Sequence, residues 1–416
     1  MLDYKINDLL PILKSKNTMV GIHGAGNNGC HVNYALRSKG IKVDFFLDSD
    51  NKKHGLVHDG IKTLSNQEFE NIKDKHNCYV FIAHNFIEPV VKYFKSINFS
   101  NIFNSLELLQ NTNFSEGNEY SKNYPSFTPL IISRYISNHK YSVLKLKEKN
   151  KFVVKHIDVM ITERCSMKCK DCSNLMQFYH KGQAQNGNTE IILRSIERLM
   201  KNLDGIGEFR VIGGEPFMNK EIHKIVNKLT TYKQVDKIVV YTNATIIPKG
   251  DNLECLKHKN VFLEITNYGP KLSKNHDNIT KLFDENGITY MSERVKLWDD
   301  IGKLEYRKRK NSEVQEIFNN CCANDLFTLM DGILYKCPVS ANGTKLKAVP
   351  FDPKYDGIHI LHDDISDTQL KEKLIDFYTN SKFVTACHYC KGRGFGFGEI
   401  EAAIQTKEPL EYVKVS

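Results

Sequence analysis

The feature that most constrains the fold is an alternation of short apolar segments with amphipathic ones, which occurs twice along the chain. Before residue 110 the apolar segments are TMVGIHG, IKVDFFLD, NCYVFIAH and SNIFNS. From residue 153 the alternation restarts with HIDVMIT, EFRVIGG, KIVVYT, VFLEITN and ITYMSERV. Strand-like segments that alternate with helix-like ones favour parallel sheets covered by helices. The sequence therefore predicts an α/β protein.

The alternation and its interruptions divide the chain into four predicted segments. Residues 1–110 form a Rossmann-like parallel sheet, and residues 111–152 form a polar linker followed by a bridging helix. Residues 153–312 form a central partial (β/α)6 barrel, because their strands and helices follow one another repeatedly. Residues 313–416 form a small C-terminal domain that contains a cysteine-bearing hairpin.

Composition narrows the classes of partner. No apolar run approaches the eighteen or so residues of a membrane span, and the first residues lack the pattern of a signal peptide. The formal net charge is +9, yet no Lys/Arg block is dense enough for a nucleic-acid patch. We expect a cytoplasmic protein that binds neither membrane nor nucleic acid. In that compartment the 11 cysteines favour metal binding over disulfides.

Three cysteines follow the first strand of the predicted barrel with the spacing C-x3-C-x2-C: Cys165, Cys169 and Cys172. The carboxyl ends of barrel strands face the active site. Three thiolates can hold three irons of a [4Fe–4S] cluster and leave the fourth iron open to a small molecule. The alternative is a structural zinc ion with His180 as the fourth ligand.

The same loop is followed about forty residues later by Gly213, Gly214, Glu215 and Pro216 (GGEP), at the end of the second barrel strand. C-x3-C-x2-C and GGEP in this order and at these strand positions resemble the radical S-adenosylmethionine (radical SAM) superfamily. The resemblance covers roughly residues 155 to 300 and implies a radical SAM barrel. It also implies that the cluster's open iron chelates SAM and that the GGEP backbone helps to hold the amino group of SAM.

The resemblance extends to the ends of the next two strands, YTNAT and ITNYG. It implies that Thr242, Asn243 and Asn267 contact SAM. The position before the third cysteine, usually aromatic in that family, is Asp171 here. The chemistry implied is reductive cleavage of SAM to a 5′-deoxyadenosyl radical, which abstracts a hydrogen atom from the substrate. A flavodoxin or ferredoxin would donate the electron.

A second set of cysteines lies near the carboxyl end of the chain, Cys322, Cys337, Cys387 and Cys390. Alternation around Asp331-Gly332 predicts a β-hairpin between the first two, and Cys321 is an alternative to Cys322 as ligand. This set resembles the twitch domain, the short form of the SPASM extension, and implies an auxiliary [4Fe–4S] cluster. A zinc ion with four thiolate ligands is the alternative.

The N-terminal unit contains the pattern G-x-G-x-x-G, formed by Gly24, Gly26 and Gly29, between its first strand and a helix. Asp48 ends the next strand, as in dinucleotide-binding folds. Such a turn could hold a nucleotide or a nucleotide-sugar, and a purely structural role fits equally well. Both interpretations stay open from the sequence.

These features lead to three hypotheses of function. The leading one is redox modification, namely dehydrogenation, of a small molecule: a sugar, a nucleotide-sugar or a related polyol. The second is modification of a peptide by a radical SAM maturase, and the third is a non-catalytic zinc- or cluster-binding protein. For a dehydrogenation, the candidate general base is Asp299 or Asp300.

Overall fold

The computed structural model describes residues 4–85, 87–114, 128–324, 326–362, 364–379, 382–394 and 398–415. The chain divides into two compact units, Met1–Lys151 and Phe152–Ser416. This division lies close to the boundary expected between residues 152 and 153. Part of the expected linker, residues 115–127, lies outside the described residues.

The first unit is built on a six-stranded sheet of order β3-β4-β2-β1-β5-β6, in which all neighbours are parallel except β3 and β4. The predicted strands are β1 (Met19–His23), β2 (Phe45–Leu47), β5 (Cys78–Ile82) and β6 (Ile102–Asn104). Two strands that we did not predict are β3 (Val57–His58) and β4 (Ile61–Leu64). The helices are α1 (Ile6–Leu13), α2 (Asn27–Arg37), α3 (Asn66–Glu70), α4 (Ile87–Ser96), α5 (Leu106–Gln110) and α6 (Pro129–Lys147).

The second unit contains an eight-stranded sheet of order β11-β10-β9-β8-β7-β13-β14-β15. Six of these strands are mutually parallel, which are β7 (Val153–Met160), β8 (Gly205–Ile212), β9 (Val235–Thr242), β10 (Val261–Asn267), β11 (Tyr290–Arg294) and β13 (Leu326–Met330). The helices that follow them in the chain are α7 (Thr189–Asn202), α8 (Ile222–Thr230), α9 (Asp251–Glu254), α10 (His276–Glu285) and α11 (Asn311–Asn320). The six parallel strands and their helices confirm an α/β fold with a partial barrel.

The sixth parallel strand returns to the first one, since β13 pairs with β7 rather than with β11. It continues through the predicted hairpin into β14 (Ile333–Tyr335), and β15 (Gly357–His359) completes this antiparallel edge. The remaining elements are β12 (Leu297–Asp299), β16 (Glu399–Glu401), α12 (Pro338–Lys345) and α13 (Asp367–Thr379). The cysteine-bearing carboxyl-terminal segment therefore shares a sheet with the barrel strands.

Side-chain alternation gives each barrel strand two different faces. Ile157 and Val159 of β7 pack in the same apolar core as Ile192, Ile196 and Leu199 of α7, as the period of that helix predicted. The residue between them on β7 points the other way, because successive strand side chains alternate. The inner face of the sheet is thereby free to carry polar side chains.

Within the described ranges, no helix combines the length and the apolar character needed to cross a membrane.

Candidate active site

The three cysteines after β7 lie around one cavity of about 410 Å³, at the carboxyl ends of the barrel strands. Of the residues that the sequence singled out, Gly213, Gly214, Pro216, Thr242 and Asn243 also line it. The other lining residues are Asp158, Met167, Ser173, Asn174, Arg210, Ile212, Tyr241, Thr266, Tyr268, Val295, Trp298, Cys322, Leu326, Pro338 and Arg393.

The two glycines of GGEP are required by the close approach of the cysteine loop. A Cβ atom on Gly214 would lie 2.4 Å from the Arg164 carbonyl oxygen and 2.7 Å from the Cβ of Cys165. A Cβ atom on Gly213 would lie 2.3 Å from the carbonyl oxygen of Thr162. The Gly214 and Glu215 amides donate to the carbonyls of this loop at 3.0 and 2.9 Å. The two glycines thus allow the end of the second barrel strand to hold the cysteine loop in place.

Glu215 ties the GGEP turn to the end of the next strand rather than lining the cavity. Its buried carboxylate accepts hydrogen bonds from the Thr242 hydroxyl at 3.0 and 3.1 Å, from the Asn243 amide at 2.8 Å and from the Phe217 amide at 3.2 Å. Burial raises the pKa of this carboxyl to about 7, against the effect of these donors. These hydrogen bonds explain why an acidic residue occupies a fully buried position.

The two asparagines expected near SAM have different surroundings. Asn243 lines the cavity, and its Nδ2 lies 3.7 Å from the Cys165 Sγ, to which it donates. The Oδ1 of Asn267 accepts from the Gly269 amide at 2.7 Å, within its own turn, and Asn267 is not among the residues that line the described cavity. The structure therefore brings Asn243, but not the side chain of Asn267, next to the thiols.

The thiols have the surroundings of metal ligands rather than of surface groups. Burial raises the pKa of Cys165 and Cys172 and raises that of Cys169 to about 12, so a positive group has to compensate their thiolate forms. Gln405, which the sequence did not single out, donates from Nε2 to the Cys169 Sγ at 3.1 Å. The donor set, one buried and two half-buried cysteines beside an open cavity, fits a cluster with one open iron.

A single metal ion fits these side chains less well. Within the described ranges, no three His, Cys, Asp or Glu side chains converge closely enough to hold one ion. A zinc ion requires its ligand atoms at about 2.0–2.3 Å, whereas the thiolates of a four-iron cluster bind separate irons.

The second set of thiols lines a smaller, apolar cavity, and its fourth member differs from our expectation. Cys337, Cys387 and Cys390 line it together with Cys321. Cys322, the ligand inferred from sequence spacing, lines the cavity of the first set instead. Although they are adjacent in the chain, Cys321 and Cys322 line different cavities, and we revise the candidate ligand to Cys321.

Arg393 and Pro338 line both cavities, so the two cysteine sets share a wall. Burial raises the pKa of Cys337 to about 11 and also raises that of Cys387 and Cys390. A hydrogen bond from Cys322 lowers the pKa of Cys321, against the effect of burial. Four thiols in an apolar pocket form a donor set that suits an auxiliary cluster.

Neither candidate base predicted from the sequence lines the described cavity. Asp300 accepts from the Lys391 Nζ at 2.5 Å and from the Gly302 amide at 2.8 Å, so its carboxylate is occupied. The Oδ2 of Asp299 lies 4.0 Å from the Nε of Arg393. The carboxylate that does line the cavity is Asp158 of β7, whose pKa burial raises to about 7. An acidic residue within the otherwise apolar run IDVMI was the available signal for it.

Aromatic side chains also reach the cavity from positions that the sequence did not single out. Tyr268 and Trp298 line it with their ring centroids 5.5 Å apart and edge to face. Asp171 lines a different cavity at the surface, together with Gln177 and Phe178. It occupies the position that is usually aromatic in the family that the sequence resembles. The apolar wall next to the cysteines is thus supplied by the residue directly after β10 and by β12.

The N-terminal glycine turn is held together by Asp48. Its Oδ2 accepts from the Ala25 amide at 2.8 Å and from the Lys53 Nζ at 2.9 Å. A Cβ atom on Gly29 would lie 1.9 Å from the Gly24 carbonyl oxygen, whereas one on Gly26 would approach only the Lys53 Nζ, at 3.9 Å. Gly29 is therefore required for packing, and the space beside Gly26 is open.

Comparison with known families gives one match to a family model. Residues 159–333 match the family described as the radical SAM superfamily. Among curated proteins, the GTP 3',8-cyclase of Clostridium acetobutylicum is 28% identical over 182 residues, which cover 42% of this chain and 52% of that protein. This chain therefore spans about half the length of that relative.

Two solved structures are also similar. BtrN in complex with AdoMet and 2-DOIA is 16% identical, with a TM-score of 0.35 over 63% of this chain and 99% of that chain. SuiB from Streptococcus suis is 18% identical, with a TM-score of 0.29 over 57% of this chain and 48% of that chain. At these TM-scores, neither likeness carries an argument about activity. Residues 159–333, which contain the three-cysteine loop and GGEP, thus form a radical SAM domain.

Proposed function

We propose that this radical SAM enzyme is an oxidoreductase that dehydrogenates a secondary alcohol of a sugar, a nucleotide-sugar or a related polyol. One observation carries the proposal: Arg393 and Pro338 belong to the walls of both thiol-lined cavities. A group bound in the larger cavity would lie beside the second cysteine set. This arrangement suits a reaction that needs two one-electron partners.

Oxidation of a secondary alcohol to a ketone has such a requirement. The C–H hydrogen leaves as a hydrogen atom, the O–H hydrogen leaves as a proton, and one further electron must be removed as the C=O bond forms. When bound, the radical SAM cluster and SAM supply an acceptor for the hydrogen atom. A cluster held by the second cysteine set would supply a one-electron acceptor at the wall of the same cavity.

The residues of this chain have distinct parts in this proposal. Cys165, Cys169 and Cys172 would hold the first cluster, while Asn243 and the GGEP backbone, which line the same cavity, would border SAM. Cys321, Cys337, Cys387 and Cys390 would hold the auxiliary cluster. Tyr268 and Trp298 provide an apolar wall that limits access of water to the reacting carbon. A flavodoxin or ferredoxin would supply the first electron.

More specifically, we propose that the substrate is linked to a nucleotide. Gly26 faces open space at the amino end of α2, and Lys53 is the nearby cation. Backbone amides at a helix start and a lysine together suit a phosphate group. The curated relatives are named GTP 3',8-cyclase, so GTP also belongs among the compounds to be tried.

The test uses the full chain, reconstituted anaerobically with iron and sulfide and supplied with SAM and dithionite. UDP-glucose, scyllo-inositol and GTP are compared with a mixture of short peptides. We expect 5′-deoxyadenosine together with a carbonyl product that is 2 Da lighter than one of the alcohols, detected by mass spectrometry. A modified peptide, with every alcohol recovered unchanged, would establish the alternative function of a peptide maturase.

A further inference from the structure

The inner wall of the candidate active site carries charged side chains that neither cysteine set uses. Asp158 of β7 and Arg210 of β8 are opposite each other in the parallel register, and both line the cavity. Arg393 reaches the same cavity from the carboxyl-terminal segment. Buried charges of this kind are costly unless they are paired or serve a ligand.

Asp158 has an unmet hydrogen-bond acceptor. The residue is only 4% exposed, and its Oδ1 accepts no hydrogen bond from the described residues. Arg210 Nη1 lies 3.9 Å from this oxygen, beyond hydrogen-bond distance. The Nε of Arg210 donates instead to Glu208 at 2.7 Å. Because Arg210 does not donate to it, the Asp158 Oδ1 is available to a donor in the cavity.

Arg393 has the complementary group, a buried donor without an acceptor. Its Nε makes no hydrogen bond to the described residues, and the closest ion-pair distance to Asp299 Oδ2 is 4.0 Å. The charge of Arg393 acts on Asp158, since it lowers the pKa of that carboxyl against the larger effect of burial. Two residues that line the same cavity thus carry one acceptor and one donor without partners among the described residues.

We infer that Asp158 and Arg393 together bind one hydroxyl group of the substrate, which donates to Asp158 Oδ1 and accepts from Arg393 Nε. A hydroxyl is the small neutral group that both donates and accepts at one atom. The inference rests on the proposed function and deepens it, because it assigns two residues that select an alcohol. A carbonyl oxygen cannot donate to Asp158, so the ketone product would bind more weakly than the alcohol.

The experiment is a calorimetric titration of the reconstituted, SAM-loaded full chain with scyllo-inositol, UDP-glucose and GTP, each beside its monodeoxy analogues. For the alcohol that binds, we expect Asp158→Asn to raise Kd about tenfold or more, because a charge-assisted hydrogen bond is lost. Asp367→Asn is the matched control, since Asp367 is exposed and pairs with Arg198 at 3.4 Å. Its Kd should equal that of the wild type.

One deoxy analogue provides a second test, and its comparison within the wild type does not depend on how any variant folds. The wild type should bind the analogue that lacks the anchored hydroxyl about tenfold more weakly or worse, whereas Asp158→Asn, which keeps only the Arg393 contact at full strength, should discriminate clearly less between that analogue and the alcohol. Equal affinity of the wild type and Asp158→Asn for the alcohol would overturn the inference and leave the dehydrogenation standing. Tight binding that depends on Asp158 without ketone formation would support the inference and overturn the proposed oxidation. A wild type that binds none of the alcohols would overturn both.

Discussion

The side-chain amide of Gln405 donates to the sulfur of Cys169 at 3.1 Å, across 236 residues of sequence. The surrounding backbone fixes this contact, because the Thr406 amide donates to the Lys168 carbonyl at 2.8 Å and the Lys170 amide donates to the Ile404 carbonyl at 2.7 Å. The carboxyl-terminal segment therefore lies directly against the loop of the first cysteine set. Through Gln405 this segment donates a hydrogen bond to Cys169, a candidate iron ligand.

Removing this donor should change the electronic properties of the first cluster. A hydrogen bond to a thiolate sulfur stabilises the more negative, reduced cluster, so Gln405→Leu should lower its reduction potential. A redox titration followed by electron paramagnetic resonance measures this potential. Gln67→Leu, at an exposed position of α3, is the control and should match the wild type. An unchanged potential in Gln405→Leu would show that the contact has no influence on the cluster.

The adjacent cysteines at the end of α11 offer a matched pair of variants. Cys321→Ala should lose the iron of the auxiliary cluster, because Cys321 lines the cavity of Cys337, Cys387 and Cys390. Cys322→Ala should retain about eight irons per chain, four per cluster. Iron analysis after anaerobic reconstitution measures both. The reverse result, with iron lost only from Cys322→Ala, would restore the ligand expected from sequence spacing.

This pair of cysteines also shows what the sequence could and could not predict. The hairpin, the strand order of the motifs and the three-cysteine loop follow from local patterns of apolar residues, turns and ligand spacing. The choice between Cys321 and Cys322 depends on which of the two residues lines the cavity of the other three cysteines, which sequence spacing does not encode. Asp158, similarly, reads as an ordinary polar strand residue until the strands place it inside the barrel.

The two glycines around the N-terminal turn should respond differently to substitution. Gly29→Ala should lower the free energy of unfolding by about 1–3 kcal/mol, because its Cβ would collide with the Gly24 carbonyl oxygen. Gly26→Ala should cost less than about 1 kcal/mol, because its Cβ meets open space. Urea denaturation of both variants measures the difference. Similar losses in both would contradict the packing role assigned to Gly29.

His139 should make the stability of the first unit depend on pH. Its Nε2 accepts from the Ser105 amide at 3.0 Å, and its Nδ1 lies 3.1 Å from the His84 carbonyl oxygen, which selects the neutral ring with Nδ1 protonated. Burial lowers its pKa to about 4, so the unfolded chain binds the proton more readily. The stabilisation is complete above pH about 6.5 and is lost as the pH falls through about 4, by up to about 3 kcal/mol.

The variant that tests this dependence is His139→Gln, which retains an amide donor and an acceptor but does not titrate. Denaturation at pH 7.5 and at pH 5 should show a smaller loss of stability in His139→Gln than in the wild type. The absolute stability of the variant is not the readout, because the substitution also changes packing. The same loss in both proteins would assign the pH dependence to other groups.

Long-range pairing accounts for most of what the sequence did not predict. The pairing of β13 with β7 and the contact between Gln405 and Cys169 both join residues far apart in the chain. Neither changes the local pattern from which strands and motifs are read. By contrast, GGEP was identified from the sequence by its resemblance to the radical SAM superfamily, and the close approach of two loops explains why its glycines are needed.

The most direct test of the proposed oxidation separates the two cysteine sets. In a Cys337→Ala, Cys390→Ala double variant that matches the wild type in circular dichroism and oligomer size, we expect about four irons and continued formation of 5′-deoxyadenosine from SAM. The measurement is the ratio of ketone to 5′-deoxyadenosine with the alcohol that the wild type oxidises. We predict a ratio near one in the wild type and near zero in the double variant, because the acceptor for the second electron is lost. An equal ratio in both proteins would contradict a redox role for the second set and remove the main support for dehydrogenation.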